Sequence, residues 1–203
     1  MAPLTVLCVK SKPSYDHKYV NNLYRAVRNN LSLPHRFACL TDDASGLKCR
    51  TIKLPPQLKG WWAKLYLFNL NLEGTVLYLD LDTLVTGSLD FVGSYTGDFA
   101  ILRDFYRPEG YGSGVMLWNK QPRHVWTEWF ENPVIHPLGD QGWIEQKVGC
   151  ADRLQDIFPG KIVSYKVDCE NGLPEGAAIC AFHGTPKPHE FEESHWVTKK
   201  WNE

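Results

Sequence analysis

The chain has 203 residues, the size of one ordinary domain, and a formal net charge of -1 that supplies no field for coating a polyanion. Charged residues at 22% and hydrophobic residues at 43% describe a globular chain, not a disordered one, and no apolar run approaches the roughly 18 residues of a membrane span. Eight tryptophans form a surplus that the fold or the function has to account for.

In chain order, Leu4 to Val9 cluster β-formers and read as a buried strand; the run is too short and too soon interrupted for a secretion signal. The six cysteines (Cys8, Cys39, Cys49, Cys150, Cys169 and Cys180) contain no C-x-x-C pair, which argues against a zinc ribbon or a thioredoxin-type site. Without a secretion signal they are expected to be reduced, mostly buried thiols in a cytoplasmic protein. Val20, Leu23, Val27 and Leu31 fall on one helical face and predict a helix over 19–31. Strands follow at 36–40, ending at Thr41-Asp42-Asp43, and at 49–54, halted by Pro55-Pro56. A helix is expected over 61–70. The continuous apolar run 75–79 predicts a strand buried on both faces. This β-α-β-β-α-β order predicts an α/β sheet with helices packed on it. The second half is less regular. It predicts strands at 98–102 and 115–118, a helix opened by Gln121-Pro122, a helix over 140–148 and a strand at 177–182. With no repeat or linker, one domain is expected.

The strongest local signal is Tyr78-Leu79-Asp80-Leu81-Asp82-Thr83-Leu84. A buried strand runs into two carboxylates two residues apart, and in extended backbone such positions project to one side. Anions held that close repel unless a cation lies between them, and strand C-termini are where open α/β sheets bind ligands. A hard divalent ion shared with a substrate phosphate fits, magnesium or manganese. Two aspartates in an ordinary turn are the alternative. Four further segments carry chemistry: Lys64 on the preceding helix, the glycine-flanked turn of Gly112-Ser113-Gly114, Gly139-Asp140-Gln141-Gly142 at a helix start, and His183-Gly184-Thr185-Pro186-Lys187-Pro188 after a strand.

In order and spacing these segments resemble the GT-A sugar-nucleotide transferases, and most of all glycosyltransferase family 8, the glycogenin-like group. The resemblance spans roughly residues 4–190. It implies a GT-A, Rossmann-like mixed sheet flanked by helices in a single compact domain. A nucleotide-binding half would occupy about 1–85, and an acceptor and sugar half about 86–203. Asp80 and Asp82 would hold manganese, or magnesium, against the diphosphate of a UDP-sugar. Lys187 would neutralise the leaving diphosphate, and Lys64 would reach the donor sugar or phosphate. Asp140 and Gln141 would hold the sugar near its anomeric carbon. Val9-Lys10-Ser11 with Tyr15 would receive the uridine, with Asp42 helping. Ser113 and Gly184 belong to the same donor site. The expected reaction is retaining transfer, with Gln141 stabilising charge in a same-face reaction. Small enzymes of this kind suit bacteria or their phages.

Two departures stand out. The family's Asn-Ser-Gly is Gly112-Ser113-Gly114 here. Its metal-binding histidine, three residues before the glycine, is Ala181, so the expected third ligand is the displaced His183. Two other functions stay open: a haloacid-dehalogenase-like phosphohydrolase using Asp80 and Asp82, and a non-catalytic nucleotide-sugar-binding module. The acceptor is open among saccharide, protein, small molecule and modified nucleobase. Of the tryptophans, Trp126 and Trp129 are expected in the core. Trp61, Trp62 and Trp143 are expected beside the sugar site, and Trp196 and Trp201 in a docking tail. Asp104 and Glu109 flank a loop over 103–112, where they could orient an acceptor hydroxyl, but solvated loop charge is the expected reading.

Overall fold

The computed structural model describes residues 3–11 and 15–203. Strand β1 (Leu4–Lys10) leads to helix α1 (His17–Asn30), whose start is capped by Asp16 accepting from the Lys18 N–H at 2.8 Å. Strands β2 (His35–Thr41) and β3 (Arg50–Lys53) follow. The segment expected as an α-helix is a 3-10 helix, Gly60–Asn69, leading to β4 (Thr75–Leu79) and the two-residue β5 (Leu84–Val85). Beyond a 3-10 turn, Asp90–Ser94, come β6 (Phe99–Arg103) and β7 (Tyr111–Trp118). Gly112 to Gly114 therefore lie inside a strand, not in a turn before it. The rest is α2 (His124–Glu131), α3 (Gly139–Val148), β8 (Asp152–Arg153), α4 (Leu154–Ile157), β9 (Ile162–Ser164), α5 (Tyr165–Asp168), β10 (Ile179–Ala181), a 3-10 turn (Pro188–Glu190) and α6 (Trp196–Asn202).

Seven strands form one mixed sheet in the order β3-β2-β1-β4-β7-β6-β8. β1 pairs in parallel with β2 on one side and β4 on the other. β7 runs antiparallel to β4, and β6 antiparallel to β7. Strand order reverses between β1 and β4, and such a switch point opens a crevice at the C-terminal strand ends. The carboxylates of Asp80 and Asp82 follow β4 directly into that crevice. A second sheet, β5-β10-β9, brings the residues after β10 to the same end.

Strand alternation divides the core between the sheet's two faces. Val6, Cys8, Leu77 and Leu79 pack with α1, α6 and the small sheet; Leu7, Val76 and Tyr78 pack with the 3-10 helix 60–69, α2 and α3. That is the doubly covered strand which the apolar run 75–79 predicts. The result is a single α/β domain with helices on both faces of a mixed sheet.

Candidate active site

A cavity of about 600 Å³ opens at the switch point. Val9 and Ser11 line it from the end of β1; Lys10 between them does not, because alternation turns its side chain away. The Lys10 ammonium donates to the Asp43 carbonyl at 3.2 Å. Asp42, also expected at the nucleotide, is an exposed residue outside the lining. The other expected donor-site residues, Tyr15, Lys64, Asp80, Asp82, Ser113, Asp140, Gln141, Gly184 and Lys187, all line the one cavity.

The floor is a charge network. Lys64, on the 3-10 helix, reaches Asp80 Oδ1 and Asp140 Oδ2, both at 3.0 Å. It also donates to Ser113 Oγ at 3.0 Å, and that hydroxyl donates to Asp140 Oδ2 at 3.0 Å. Ser113 thus joins the ammonium to α3. A register shift between β6 and β7 allows this, since Ile101 pairs with Met116 but Leu102 pairs with Gly112. The extra residues leave Gly114 to accept the Asp80 N–H at 2.8 Å. Tyr78 donates to Asp80 Oδ1 at 2.5 Å. Asp82 is paired with Lys187, and Tyr15 donates to it at 3.2 Å. Lys187 is oriented by Glu190, which accepts its backbone N–H at 2.5 Å.

The cation expected between Asp80 and Asp82 thus has counterparts in the protein, one lysine for each carboxylate. Even so, among the described residues Asp80, Asp82 and Asp140 share two ammonium groups, those of Lys64 and Lys187. Burial pushes Lys64 down, but Asp140 and Asp80 outweigh it and hold it well above the usual lysine range. Burial lifts Asp80 above the usual carboxylate range; Lys64 opposes this and Asp82 adds to it. Burial, with Asp82 next, lifts the Tyr15 phenol, so it serves as a donor.

His183 lines the cavity but is not gathered with the aspartates. Its Nε2 lies 2.7 Å from Ser164 Oγ, and its ring is flanked by Phe105 and Tyr106 at 5.8 and 5.0 Å. Burial, helped by Lys166, lowers its pKa below the usual histidine range. Among the described residues, no group of three or more His, Cys, Asp and Glu side chains could hold a metal. Asp80 and Asp82 nonetheless fit a magnesium or manganese ion. Two carboxylates supply oxygen ligands, and such an ion commonly completes its shell with water and substrate phosphate.

Of the tryptophans expected here, Trp61 lines the cavity and is 71% exposed. It packs on Gly139, which has φ +61° and where a Cβ would lie 2.9 Å from the indole. Trp62 turns away and stacks on Trp129 at 5.4 Å. Trp143 is a correction: it is buried, and its indole N–H donates to the Val125 carbonyl at 2.8 Å. Trp143 packs into the core against α2, while Asp140, in the first turn of α3, reaches the floor. Asp104 is a second correction: it lines the cavity and accepts from Gln141 Nε2 at 3.1 Å, whereas Glu109 is solvated.

No family model matches the chain, and no curated protein matches it in sequence. Solved structures do share the fold. The glycosyltransferase GlyE of Streptococcus pneumoniae TIGR4 matches with a TM-score of 0.68 at 16% identity, over 97% of this chain and 59% of that one. The galactosyltransferase LgtC, solved with donor and acceptor sugar analogues, matches with a TM-score of 0.65 at 15% identity, over 97% and 93%. The bifunctional glycosyltransferase WbbM matches with a TM-score of 0.71 at 12% identity, over 98% and 49%. The chain therefore spans little more than half of GlyE and about half of WbbM. The fold is that of the GT-A-like glycosyltransferases.

Proposed function

We propose that the protein is a metal-dependent, retaining glycosyltransferase that takes a sugar from a nucleotide sugar, a UDP-sugar in the first instance. One observation carries the reading. Segments far apart in the chain deliver Lys64, Asp80, Asp82, Asp140, Gln141 and Lys187 to one cavity at the switch point of the sheet. Fold likeness to GlyE, LgtC and WbbM supports sugar transfer in general.

Transfer breaks the anomeric C–O bond and leaves a nucleoside diphosphate with new negative charge. Preorganised positive charge at that oxygen is the largest available stabilisation. Lys187, whose backbone N–H is held by Glu190 and whose ammonium pairs with Asp82, would supply that charge. A divalent ion held by Asp80 and Asp82 would supply Lewis-acid charge to the diphosphate. Val9, near the end of β1, and Tyr15, just before α1, would bound the nucleoside. Asp140 and Gln141, in the first turn of α3, would face the sugar, where a carboxylate or an amide carbonyl stabilises oxocarbenium-like charge. An amide is a poor nucleophile, which favours a same-face reaction.

The test is a thermal-shift screen of nucleotide sugars with manganese, followed by nucleotide-release assays on the stabilising ones. Stabilisation follows ligand affinity. Stabilisation by a nucleoside diphosphate sugar, with manganese-dependent release, is expected. No stabilisation by any nucleoside diphosphate, or rapid magnesium-dependent turnover of p-nitrophenyl phosphate, would sink the reading.

A further inference from the structure

Asp104 stands where β6 gives way to the loop toward β7. Its carboxylate is heavily engaged. Oδ1 accepts the backbone N–H groups of Tyr106 at 2.9 Å and Arg107 at 3.0 Å. Oδ2 accepts from Arg107 Nη2 at 2.9 Å, from Arg107 Nε at 3.2 Å and from Gln141 Nε2 at 3.1 Å. The guanidinium continues to Glu145, with Nη2 to Oε2 at 2.9 Å and Nη1 to Oε1 at 3.4 Å. Glu145 lies one turn beyond Gln141 on α3, so loop and helix are joined along one helical face. Gly110 leaves room for this, since a Cβ there would lie 2.9 Å from Arg107 Cζ. Burial pushes the Asp104 carboxyl up, but the two N–H groups and the guanidinium outweigh it and hold it below the usual carboxylate range.

A carboxylate only accepts hydrogen bonds. The half of the Gln141 amide that faces Asp104 is therefore its NH2 group, and the carbonyl oxygen is left for the cavity that Gln141 lines. We propose that Asp104, held by Arg107, is a positioning residue that sets the Gln141 amide with its carbonyl oxygen toward the donor sugar. This rests on the reading of Gln141 given above. A reversed amide would present N–H donors to an anomeric carbon gaining positive charge, turning a stabilising dipole into an opposing one.

The test is a double-mutant cycle on the full chain, with Asp104→Asn, Gln141→Ala and both together. It measures UDP release from UDP-glucose, UDP-galactose and UDP-N-acetylglucosamine with manganese. Asparagine offers an N–H2 group in place of one carboxylate oxygen and so permits the reversed amide. On the donor that the wild type turns over, Asp104→Asn is expected to lower kcat about tenfold or more, with KM within about threefold. In the Gln141→Ala background the same change is expected to alter kcat less than about twofold, because Asp104 then has nothing to orient. Losses that multiply, or a raised KM with kcat kept, overturn the proposal and leave the transferase reading standing. If Asp104→Asn fails to fold, Arg107→Ala takes its place with the same expectation and the same refutation. A wild type that releases no UDP from any of the three donors, and is stabilised by no nucleotide sugar, overturns the transferase reading and this proposal with it.

Discussion

Replacing Lys64 by methionine keeps the stem and removes the ammonium on which the cavity floor depends. The lysine lies 3.0 Å from both Asp80 and Asp140, and its side chain is 11% exposed. At that separation each pair is worth about 5.5 kcal/mol at an effective dielectric of about 20. Desolvation of the three groups cancels much of this, and removing one partner of a buried pair costs about 3–5 kcal/mol. For a chain of this size that is a fall in Tm of about 6–20 °C. The pH dependence gives a sharper signature. Without the ammonium, Asp80, which burial already holds above the usual carboxylate range, rises further, so the native state binds more protons than the unfolded one. Stability then falls as pH rises through that raised value, so the deficit is larger near pH 8 than near pH 5. Differential scanning fluorimetry across that range, with and without manganese, measures it. Manganese is expected to recover part of the loss at the higher pH by standing in for the missing charge. A Tm within about 2 °C of wild type, or a deficit that does not change with pH, would refute the electrostatic account.

Other expectations follow from the same contacts. Asp82→Ala should lower manganese-dependent UDP release by about 10²–10³; equal release from variant and wild type removes Asp82 from the site. Lys187→Ala should lower kcat, and it should also enlarge the manganese-induced rise in Tm without nucleotide, because Asp82 loses its ammonium partner; an identical rise in both proteins contradicts the pairing. Asp90 accepts the Ser32 N–H and hydroxyl, both at 2.7 Å, and so ties the end of α1 to the turn 90–94. Asp90→Ala should cost about 1–2 kcal/mol, read as an unchanged m-value with a lower denaturation midpoint, and an unchanged midpoint would show the tie to be idle.

Much of this arrangement is legible in the residues. The apolar period of Val20, Leu23 and Val27 marks α1, and the run 75–79 marks the central strand, because doubly buried strands lose their alternation. Asp80 and Asp82 are legible because a carboxylate pair after such a strand has few apolar explanations. Lys10 misleads: a strand-end cation beside a nucleotide site looks useful, and only the facing of its neighbours shows that it points the other way. The strands β5, β8 and β9 are two or three residues long, too short to show a period. The tie of Asp104 to Gln141 is hidden for a different reason. The two meet across 37 positions, and nothing in the local run Arg103-Asp104-Phe105 announces that encounter. The 3-10 form of 60–69 is likewise set by packing, since its residues are ordinary helix formers.

The tryptophans turn the compositional argument around. A surplus of indoles suggests sugar handling, because C–H faces of pyranoses cover them well, yet most are spent on structure. Trp118 is 1% exposed between Phe68 and Phe99, and Trp126, Trp143 and Trp201 are also buried. Trp62 and Trp129 stack on each other, and Trp196 packs near Tyr165. These rings pack on the two faces of the sheet, Trp196 and Trp201 on one and Trp62, Trp118, Trp126, Trp129 and Trp143 on the other. Trp61 alone is both exposed and part of the cavity wall. Its placement depends on Gly139, one residue before Asp140, so the helix start that delivers the acid to the floor also seats the indole at the rim. Site and rim are therefore one local structure. A side chain at position 139 would displace Trp61 and strain the entry to α3 together, which is why the glycine, and not the count of indoles, is the informative residue.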